Sequence, residues 1–295
     1  MKPLILILGA NGQLGFDIAQ VVRPHYTVQA VTREILDLAN SQAVDSFLKT
    51  LHNIEIYAVI NCVAFTNVDG NESNIEQAFH INSIFVSQLV NFCKTTNTLL
   101  VHFSTDYIFD GTAKNHKYTE IDAANPLNVY GLSKYAADNI IKNYLDRYYI
   151  FRVSSLFGVT HTTGKKGSGF IPTMLRLAAE RDSWTVISDQ ISCPTHTLDV
   201  AKVVHHFLTT KITEYGIYNC VSSTSCSWFE FAQFILKEYG YDPEKIKPIS
   251  YQDYKFVAKR PQYSVLDISK LSNYYQMPSY RDAFLEYKKI REQKI

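Results

Sequence analysis

The chain has 295 residues, 29 Lys and Arg against 28 Asp and Glu, and 46% hydrophobic residues. This length holds one large domain or two modest ones, and the composition excludes a mainly disordered protein. The near-zero net charge argues against a strongly basic nucleic-acid binder, and the apolar runs are too short to span a membrane. The 5 cysteines are scattered and never form a CxxC pair, which is typical of reduced, buried thiols. We therefore expect a cytoplasmic protein that binds neither nucleic acid nor a membrane.

The first half of the chain alternates short aliphatic runs with helical patterns, which is typical of βαβ units and a parallel sheet. In chain order, the predicted strands are 4–8, 27–31, 57–63, 99–104 and 148–153, and the predicted helices are 12–22, 41–51, 72–95 and 129–145. Strands that are apolar throughout indicate a sheet covered by helices on both faces. The expected fold class is α/β, a Rossmann-type doubly wound parallel sheet.

The pattern changes after residue 153, where glycines cluster between Gly164 and Gly169. A strand at 185–187 and a helix at 198–208 are predicted to return to the sheet. The first domain is therefore expected to comprise 1–153 plus about 184–220. The remaining segments, about 154–183 plus 221–295, are expected to form a smaller, discontinuous C-terminal domain.

A glycine-rich turn joins the first predicted strand to the first predicted helix. Its sequence is Gly9-Ala10-Asn11-Gly12-Gln13-Leu14-Gly15. Gly9 permits a sharp turn, Gly12 lets backbone N–H groups approach a phosphate, and Gly15 lets helix and strand pack closely. The helix N-terminus also favours an anion. The spacing differs by one residue from G-x-G-x-x-G, but the strand–turn–helix context predicts dinucleotide binding, with a merely structural turn as the alternative.

The end of the second predicted strand bears on which nicotinamide dinucleotide is bound. An arginine at this position accommodates a 2′-phosphate, whereas an acidic side chain would accept the 2′-hydroxyl. Arg33 stands there and favours NADPH over NADH, with a solvated surface arginine as the alternative. Asp37 and Leu38 are candidates for the adenine edge, although Asp37 equally suits a helix N-terminus.

Tyr130 and Lys134 lie one turn apart at the start of a predicted helix, and therefore on one helical face. An ordinary phenol has a pKa of about 10, and a neighbouring ammonium is expected to lower that pKa by about two to three units. Such a tyrosine can give a proton to a carbonyl oxygen as hydride arrives. Thr105, at the carboxyl end of a predicted strand, would donate a second hydrogen bond to that carbonyl. The pattern indicates ketone reduction.

At these residues the chain resembles the extended short-chain dehydrogenase/reductase family, and within it the reductases of nucleotide-linked 4-keto-6-deoxy sugars. The matching segments are 9–15, 61–69, 104–111, 126–134, 152–158, 189–195 and 260–267. The resemblance implies NAD(P)H-dependent reduction of the C4 keto group of such a sugar, with dTDP-4-dehydrorhamnose or a related deoxysugar as substrate. It also implies that the first domain binds NAD(P) and the second binds the sugar nucleotide.

Individual roles follow from the resemblance together with the motifs above. The catalytic residues are expected to be Thr105, Tyr130 and Lys134. The cofactor-binding residues are expected to be Gly9, Asn11, Gly12, Gln13, Leu14, Arg33, Asp37, Leu38, Ala64, Phe65, Thr66, Asn82, Tyr130 and Lys134. The substrate-binding residues are expected to be Val68, Asp69, Asp106, Phe109 and Arg260.

Three positions depart from the family pattern. Ser155 stands where a sugar-facing tryptophan is expected, so that aromatic wall is expected to be missing. Gly169 stands where an asparagine would contact the nucleotide half of the substrate. Leu198 replaces one of the acidic residues linked to Mg2+ in some relatives, with Asp17 as a remaining candidate, so no metal site is predicted.

Other reactions on the same scaffold stay open as alternatives. Tyr107 stands where related dehydratases carry a glutamate base, which argues against dehydration. An epimerase would retain its nicotinamide through the cycle. A non-catalytic regulatory subunit, like that of methionine adenosyltransferase, has no chemical need for the complete set of Thr105, Tyr130 and Lys134. The expected partner is a nucleotide sugar, a homodimer is a candidate assembly, and His102 is interpreted as a core histidine.

Overall fold

The structure, a computed structural model, describes residues 2–113, 116–160 and 169–293. The strands are β1 (Leu4–Leu8), β2 (Thr27–Val31), β3 (Ala58–Asn61), β4 (Leu99–Thr105), β5 (Tyr148–Val153), β6 (Leu156–Phe157), β7 (Trp184–Ile187), β8 (Ile191–Ser192), β9 (Thr195–His196), β10 (Gly216–Asn219), β11 (Cys226–Ser227) and β12 (Ile246–Ile249). The helices are α1 (Gln13–Val22), α2 (Ser41–Thr50), α3 (Val68–Ser73), α4 (Ile75–Phe79), α5 (Phe85–Thr96), α6 (Val129–Tyr144), α7 (Phe170–Glu180), α8 (Thr197–Thr209), α9 (Trp228–Glu238), α10 (Ser269–Ser272) and α11 (Tyr280–Gln293). A π-helical segment lies at His80–Ile84, and 3-10 turns lie at Asp106–Ile108, Pro243–Lys245 and Tyr251–Asp253.

Six strands form one parallel sheet in the order β2-β1-β3-β4-β5-β10. Alternate residues of β1 face opposite sides of it. Ile5 and Ile7 pack in the cluster that includes α1 and α8, whereas Leu6 and Leu8 pack in the cluster that includes α2 and α5. Because helices cover both faces, the strands need apolar residues on both sides. The predicted Rossmann-type doubly wound fold is confirmed.

The order of the strands creates a crevice at one edge of the sheet. The chain leaves β1 for β2 on one side and returns to β3 on the other side of β1. In open α/β sheets, such a switch leaves space for a ligand beyond the carboxyl ends of the strands. The glycine turn follows β1 directly, so it lies at this crevice.

One predicted strand belongs elsewhere. β7 pairs with β12, and Trp184 and Val186 pack with Phe231 and Ile246 in a separate hydrophobic cluster. β10, and not 185–187, pairs with β5 at the edge of the central sheet. The strand predicted at 185–187 is confirmed as β7, but its predicted return to the central sheet is wrong, because a short apolar run does not specify which sheet it joins. The predicted helix at 198–208 is confirmed as α8, while the division into two domains stays a prediction.

The long helix predicted over 72–95 is interrupted. Asn71 Nδ2 donates to the carbonyl oxygens of Phe65 and Asn67, and Asn74 Nδ2 donates to that of Gly70. Such side-chain bonds to the backbone compete with helical hydrogen bonds, and the helix breaks at Asn74, where φ is −134°. The prediction is therefore wrong at its start and confirmed from Ile75 onwards, because the backbone is helical through α4, the π-helical segment and α5 as far as Thr96.

Two sequence predictions concern features outside the sheet. Apart from Gly169, the cluster between Gly164 and Gly169 lies outside the described residues. Among the described residues, no helix is both long and apolar enough to cross a lipid bilayer.

Candidate active site

The crevice at the carboxyl ends of β1, β3 and β4 opens into a cavity of about 650 Å³. The predicted site residues that line it are Gly9, Asn11, Gly12, Gln13, Leu14, Arg33, Asp37, Leu38, Ala64, Phe65, Thr66, Val68, Thr105, Asp106, Tyr130 and Lys134. One continuous space thus connects the glycine turn with the Tyr130–Lys134 pair. This arrangement allows a ligand held at the turn to reach the proposed acid.

The glycine turn has the geometry that a pyrophosphate requires. Gly9 has φ +74°, a left-handed conformation that other residues adopt only with strain. A Cβ on Gly15 would lie 2.3 Å from the carbonyl oxygen of Gly9, so only glycine lets α1 approach the turn this closely. Gly12 is the N-cap of α1, and no side chain of the described residues caps it. The first N–H groups of α1 can therefore bind an anion.

Asn82 is placed behind the cavity wall. Its Oδ1 accepts the backbone N–H of Phe65 at 2.8 Å, and its Nδ2 donates to Ser133 Oγ at 2.9 Å. Asn82 is fully buried and is not among the lining residues. Asn82 thus holds the segment after β3 against α6, and its predicted contact with the cofactor stays a prediction.

The start of α6 positions Tyr130 and Lys134. Asn128 caps the helix, because its Oδ1 accepts the backbone N–H of Gly131 at 2.8 Å. A Cβ on Gly131 would lie 2.2 Å from the carbonyl oxygen of Tyr107, so glycine permits the close approach of α6 to the segment after β4. The ring centroids of Tyr107 and Tyr130 are consequently 5.9 Å apart in an edge-to-face arrangement.

The electrostatics of the pair differ from the sequence-based expectation. Burial raises the pKa of Tyr130 to about 12, and burial also lowers the pKa of Lys134 to about 8. The predicted lowering of the Tyr130 pKa is wrong in this structure, because desolvation disfavours the phenolate and the ammonium alike. A phenol that keeps its proton is nevertheless in the state that a proton donor to a ketone needs.

Thr105 and Asp106 are linked at the end of β4. Thr105 Oγ1 donates to Asp106 Oδ1 at 3.2 Å and accepts the backbone N–H of Tyr107 at 3.2 Å. Asp106 Oδ2 accepts hydrogen bonds from Ser154 Oγ at 2.8 Å and from Ser264 Oγ at 2.6 Å. Burial raises the pKa of Asp106 to about 6. The carboxylate of Asp106 is thus engaged with three hydroxyl groups, and it orients that of Thr105.

Three of the residues predicted to bind substrate do not line the cavity. Arg260 Nη2 lies 2.9 Å from Asp69 Oδ1, so the two predicted side chains form an ion pair with each other. Phe109 is fully buried and stacks on Tyr118 with ring centroids 4.2 Å apart. Phe109 therefore occupies a core position in this structure, and its assignment to the substrate stays a prediction.

Trp228 lines the cavity and was not predicted to do so. It is the first residue of α9, and its ring lies 4.5 Å from that of Phe170. Ser155 also lines the cavity, with φ +46°, and its Oγ donates to Ser192 Oγ at 3.0 Å. The expected absence of a sugar-facing aromatic wall at position 155 stays a prediction, and Trp228, from a distant segment, brings an aromatic side chain to the same cavity. The capping box that begins α9 is visible in the sequence, but it does not show where the indole points.

One group of described residues has the spacing of a metal site. His196, Asp199 and Glu286 place potential ligand atoms within 4.8 Å of one another. The ammonium of Lys202 already lies 3.2 Å from Asp199 Oδ1 and 2.8 Å from Glu286 Oε2. The ammonium of Lys202 thus already neutralises part of the negative charge of this group. The prediction that the protein has no metal site stays a prediction.

Comparisons with known proteins agree on one family. The family model described as the RmlD substrate binding domain matches residues 1–290. The dTDP-4-dehydrorhamnose reductase of Aggregatibacter actinomycetemcomitans is 33% identical over 278 residues, which cover 90% of this chain and 91% of that protein. The spore coat polysaccharide biosynthesis protein SpsK of Bacillus subtilis is 33% identical over 288 residues, which cover 96% of each protein.

Solved structures give the same result. A crystal structure of dTDP-4-dehydrorhamnose reductase from Bacillus anthracis in complex with NADP has a TM-score of 0.88 at 32% identity, covering 97% of this chain and 99% of that chain. A dTDP-glucose 4,6-dehydratase from Streptomyces venezuelae has a TM-score of 0.76 at 16% identity, covering 98% and 97% of the two chains, and therefore shares the fold alone. The resemblance predicted from the sequence is confirmed.

Proposed function

Because the chain belongs to the family described by the RmlD substrate binding domain and is an NADPH-dependent oxidoreductase, we propose that it reduces the C4 keto group of dTDP-4-dehydrorhamnose or of a closely related dTDP-linked 4-keto-6-deoxy sugar. The observation that carries this proposal is a continuous cavity with the glycine turn at one end and Thr105, Tyr130 and Lys134 at the other. The relatives named above support the choice of sugar.

The cofactor end fits a nicotinamide dinucleotide. Bound NADPH supplies the hydride that adds to C4. The uncapped N-terminus of α1 and the turn that begins at Gly9 would hold the pyrophosphate, since free N–H groups and a close backbone approach suit an anion. Arg33, at the end of β2, would pair with the 2′-phosphate, because a guanidinium binds phosphate in a bidentate geometry.

Three residues would share the transfer of the proton and the stabilisation of the charge that develops during the reduction. Tyr130 donates its proton to the C4 oxygen as negative charge develops there. Thr105 donates a hydrogen bond to the same oxygen, after its hydroxyl turns from Asp106 towards the substrate. Lys134 holds the cofactor and stabilises the phenolate left on Tyr130. These roles are consistent with a phenol whose pKa is raised by burial, since the resting enzyme then carries the proton it must give.

The residues at the substrate end would contact the sugar nucleotide through aromatic packing and through a positive charge. Trp228 lines the cavity with an aromatic side chain, which suits a sugar ring or a nucleobase. Arg260 is the proposed partner of the substrate diphosphate, and it would leave Asp69 to bind that group. The sugar would therefore lie between Tyr130 and Trp228.

The proposal is tested by NADPH oxidation with a panel of dTDP-, GDP- and UDP-linked 4-keto-6-deoxy sugars. We expect stoichiometric oxidation with the dTDP-linked members and a C4 alcohol as product. Tightly retained nicotinamide with no net consumption would instead indicate an epimerase. A stoichiometric protein partner and no oxidation with any sugar would indicate a regulatory subunit.

We also propose a cytoplasmic location and a homodimeric assembly. The described cysteines are free thiols, which supports a reducing compartment. Light scattering of the purified protein tests the assembly, and a mass of one chain would contradict the homodimer.

A further inference from the structure

Asp138 is a buried carboxyl group for which the proposed reaction has no use so far. It lies on α6 four residues after Lys134, which itself lies four residues after Tyr130. Side chains of a helix lean towards its N-terminus, so residues at this spacing lie one above the other on one face. Asp138 is 2% exposed and Lys134 is 1% exposed. A stripe of phenol, amine and carboxyl group therefore runs along α6, with the amine in the middle.

The neighbour on β5 determines the charge of Asp138. Arg152 is 3% exposed, and its Nε lies 3.6 Å from Asp138 Oδ2, which is its one ion pair among the described residues. A guanidinium keeps its proton in a protein, and a buried one without an anion is strongly destabilising. Burial raises the pKa of Asp138, but Arg152, Ser104 and Lys134 oppose that rise. Asp138 is therefore a carboxylate that balances Arg152.

The two oxygen atoms of this carboxylate have different surroundings. Ser104, on β4, donates from its Oγ to Asp138 Oδ2 at 2.8 Å, since an ionised carboxylate can only accept. Oδ2 is thus engaged by both β4 and β5. Oδ1 is buried and makes no hydrogen bond with a described residue. One oxygen of Asp138 therefore remains free to interact with positive charge on its own helix.

Lys134 supplies that charge when it is protonated. Its Nζ lies 3.0 Å from His102 Nε2, but burial together with the nearby Lys134 holds the pKa of His102 well below its usual range, so the imidazole adds no charge. Burial lowers the pKa of Lys134 to about 8, and the carboxylate of Asp138 opposes that lowering. The ammonium in this buried position thus depends on an anion, and Asp138 provides one.

The other ionisable groups do not replace Asp138. The titratable and charged groups around Lys134 are Tyr130 and Asp138 on α6, His102 on β4, Asp106 and Tyr107 after β4, Arg152 on β5 and Cys62 after β3. Asp106 is the other acid in this set, and its carboxylate already accepts hydrogen bonds from three hydroxyl groups. Asp138 is therefore the acid with an oxygen still free to act on Lys134.

Resting on the proposed reduction, we propose that Asp138 is a positioning residue that keeps Lys134 in the ammonium form in the free enzyme. Asp138 does not line the cavity, so it acts through Lys134 and not on the substrate. The ammonium is then present before the sugar binds, and it stabilises the phenolate that forms when Tyr130 gives its proton to the C4 oxygen. Without the carboxylate, the positive charge of Arg152 would be unbalanced and would favour the uncharged amine of Lys134.

The test measures the pKa of Lys134 directly in the full-length protein without added ligand. With lysine labelled with 13C at Cε, NMR follows this carbon as the amine titrates, and the variant Lys134→Met identifies the signal. In the wild type we expect a pKa of about 8. Asp138→Asn keeps the shape of the side chain and still accepts from Ser104, but the loss of its charge should lower the pKa of Lys134 by at least about one unit.

An unchanged pKa of Lys134 in Asp138→Asn would overturn the proposal, whatever the enzyme reduces. Asp146→Asn, at an exposed aspartate just after α6, is the matched control and should leave that pKa unchanged.

A second variant changes the same network in the opposite direction. Arg152→Gln removes the competing cation, so Asp138 then balances Lys134 alone, and the pKa of Lys134 should rise by at least about one unit. Opposite shifts from two neighbouring residues indicate an electrostatic effect, which a general disturbance of packing would not produce. If Asp138→Asn does not fold, Arg152→Gln decides, and an unchanged or lowered pKa of Lys134 in that variant would overturn the proposal.

The kinetic consequence is a shift in pH dependence. In the wild type, kcat/KM for NADPH oxidation is expected to fall above about pH 8, where the free enzyme loses the proton of Lys134. In Asp138→Asn the fall should begin at least about one pH unit lower, which is a roughly tenfold loss of relative activity at high pH. Asp138→Glu keeps the charge and should restore the wild-type profile.

The two kinds of measurement separate the possible failures. A wild-type pH profile in Asp138→Asn, together with a lowered pKa of Lys134, would overturn the link between this charge and the reaction. Absence of NADPH oxidation in the wild type would contradict the proposed function and leave the NMR result on Asp138 standing.

Discussion

The two ends of the cavity are built in different ways. At the cofactor end, consecutive residues of the turn from Gly9 to Gly15 present backbone groups, and the absence of side chains creates the space. At the substrate end, Val68, Ser155 and Trp228 come from three segments that are far apart in the chain. The first end depends on local backbone geometry, and the second depends on how separate elements pack. The turn proposed to bind the nucleotide can therefore be recognised from a few residues, whereas the wall proposed to contact the sugar cannot.

The largest effect is expected where the two ends meet. Tyr130→Phe removes the proton donor without removing the ring, so turnover should fall by about 100-fold or more while NADPH affinity is retained. Steady-state kinetics and a fluorescence titration with NADPH measure the two quantities. Tyr144→Phe, at the exposed end of the same helix, serves as the control and should leave both unchanged. Near-wild-type turnover of Tyr130→Phe would eliminate the proposed acid.

The second-largest effect is expected at the cofactor end, where Arg33 would distinguish NADPH from NADH. Arg33→Ala removes the guanidinium proposed to hold the 2′-phosphate, and a charge-assisted hydrogen bond of about 1.5–3 kcal/mol corresponds to a roughly 10- to 100-fold weaker Kd for NADPH. The Kd for NADH should hardly change. Arg23→Ala, at the exposed end of α1, is the control. If Arg33→Ala weakens the binding of NADPH and of NADH equally, Arg33 does not bind the 2′-phosphate.

Two glycine-to-alanine variants test whether the absence of a side chain at the turn is needed for stability and for NADPH binding. Gly15→Ala would place a Cβ 2.3 Å from the carbonyl oxygen of Gly9 and should reduce the free energy of unfolding by about 1–3 kcal/mol, because α1 must shift. Gly240 has φ +75° but no atom within 4 Å of its added Cβ. Gly240→Ala should therefore cost only the backbone strain, about 1–2 kcal/mol, and should leave NADPH binding intact. Chemical denaturation measures the free energy of unfolding of each variant, and titration measures its Kd for NADPH. If both variants bound NADPH more weakly than the wild type, the effect on binding would not be specific to the close approach at Gly15.

The smallest effect is expected at the substrate end. Trp228→Ala should raise KM for the nucleotide sugar by about tenfold, since an aromatic contact contributes about 0.5–1.5 kcal/mol beyond the area it buries. NADPH affinity should not change. Trp228→Phe keeps a flat apolar face and should recover most of the lost affinity. An altered Kd for NADPH in Trp228→Ala would mean that the indole also belongs to the cofactor end.

The difference between local backbone geometry and the packing of distant elements also explains which sequence-based predictions failed. β1 and the turn after it follow from a continuous apolar run and three spaced glycines, and both are confirmed in the fold. The partner of β7 lies far away in the chain, so the local pattern misleads there. The break at Asn74 arises from local side-chain bonds to the backbone, which apolar periodicity does not reveal. The raised pKa of Tyr130 was also missed, because spacing on a helix shows that Lys134 is near but not that both groups are buried.

The amino-acid sequence alone determined the class of fold, the glycine turn proposed to bind the nucleotide, and the candidate set of Thr105, Tyr130 and Lys134. These features depend on residue types at short spacings, and short spacings are set by the geometry of one strand, one turn or one helix. Only the tertiary structure decided that Trp228 lines the cavity, that Phe109 does not, and that His102 lies against Lys134. Burial, and the direction of a buried hydrogen bond, arise from elements that are distant in the chain and meet only after folding.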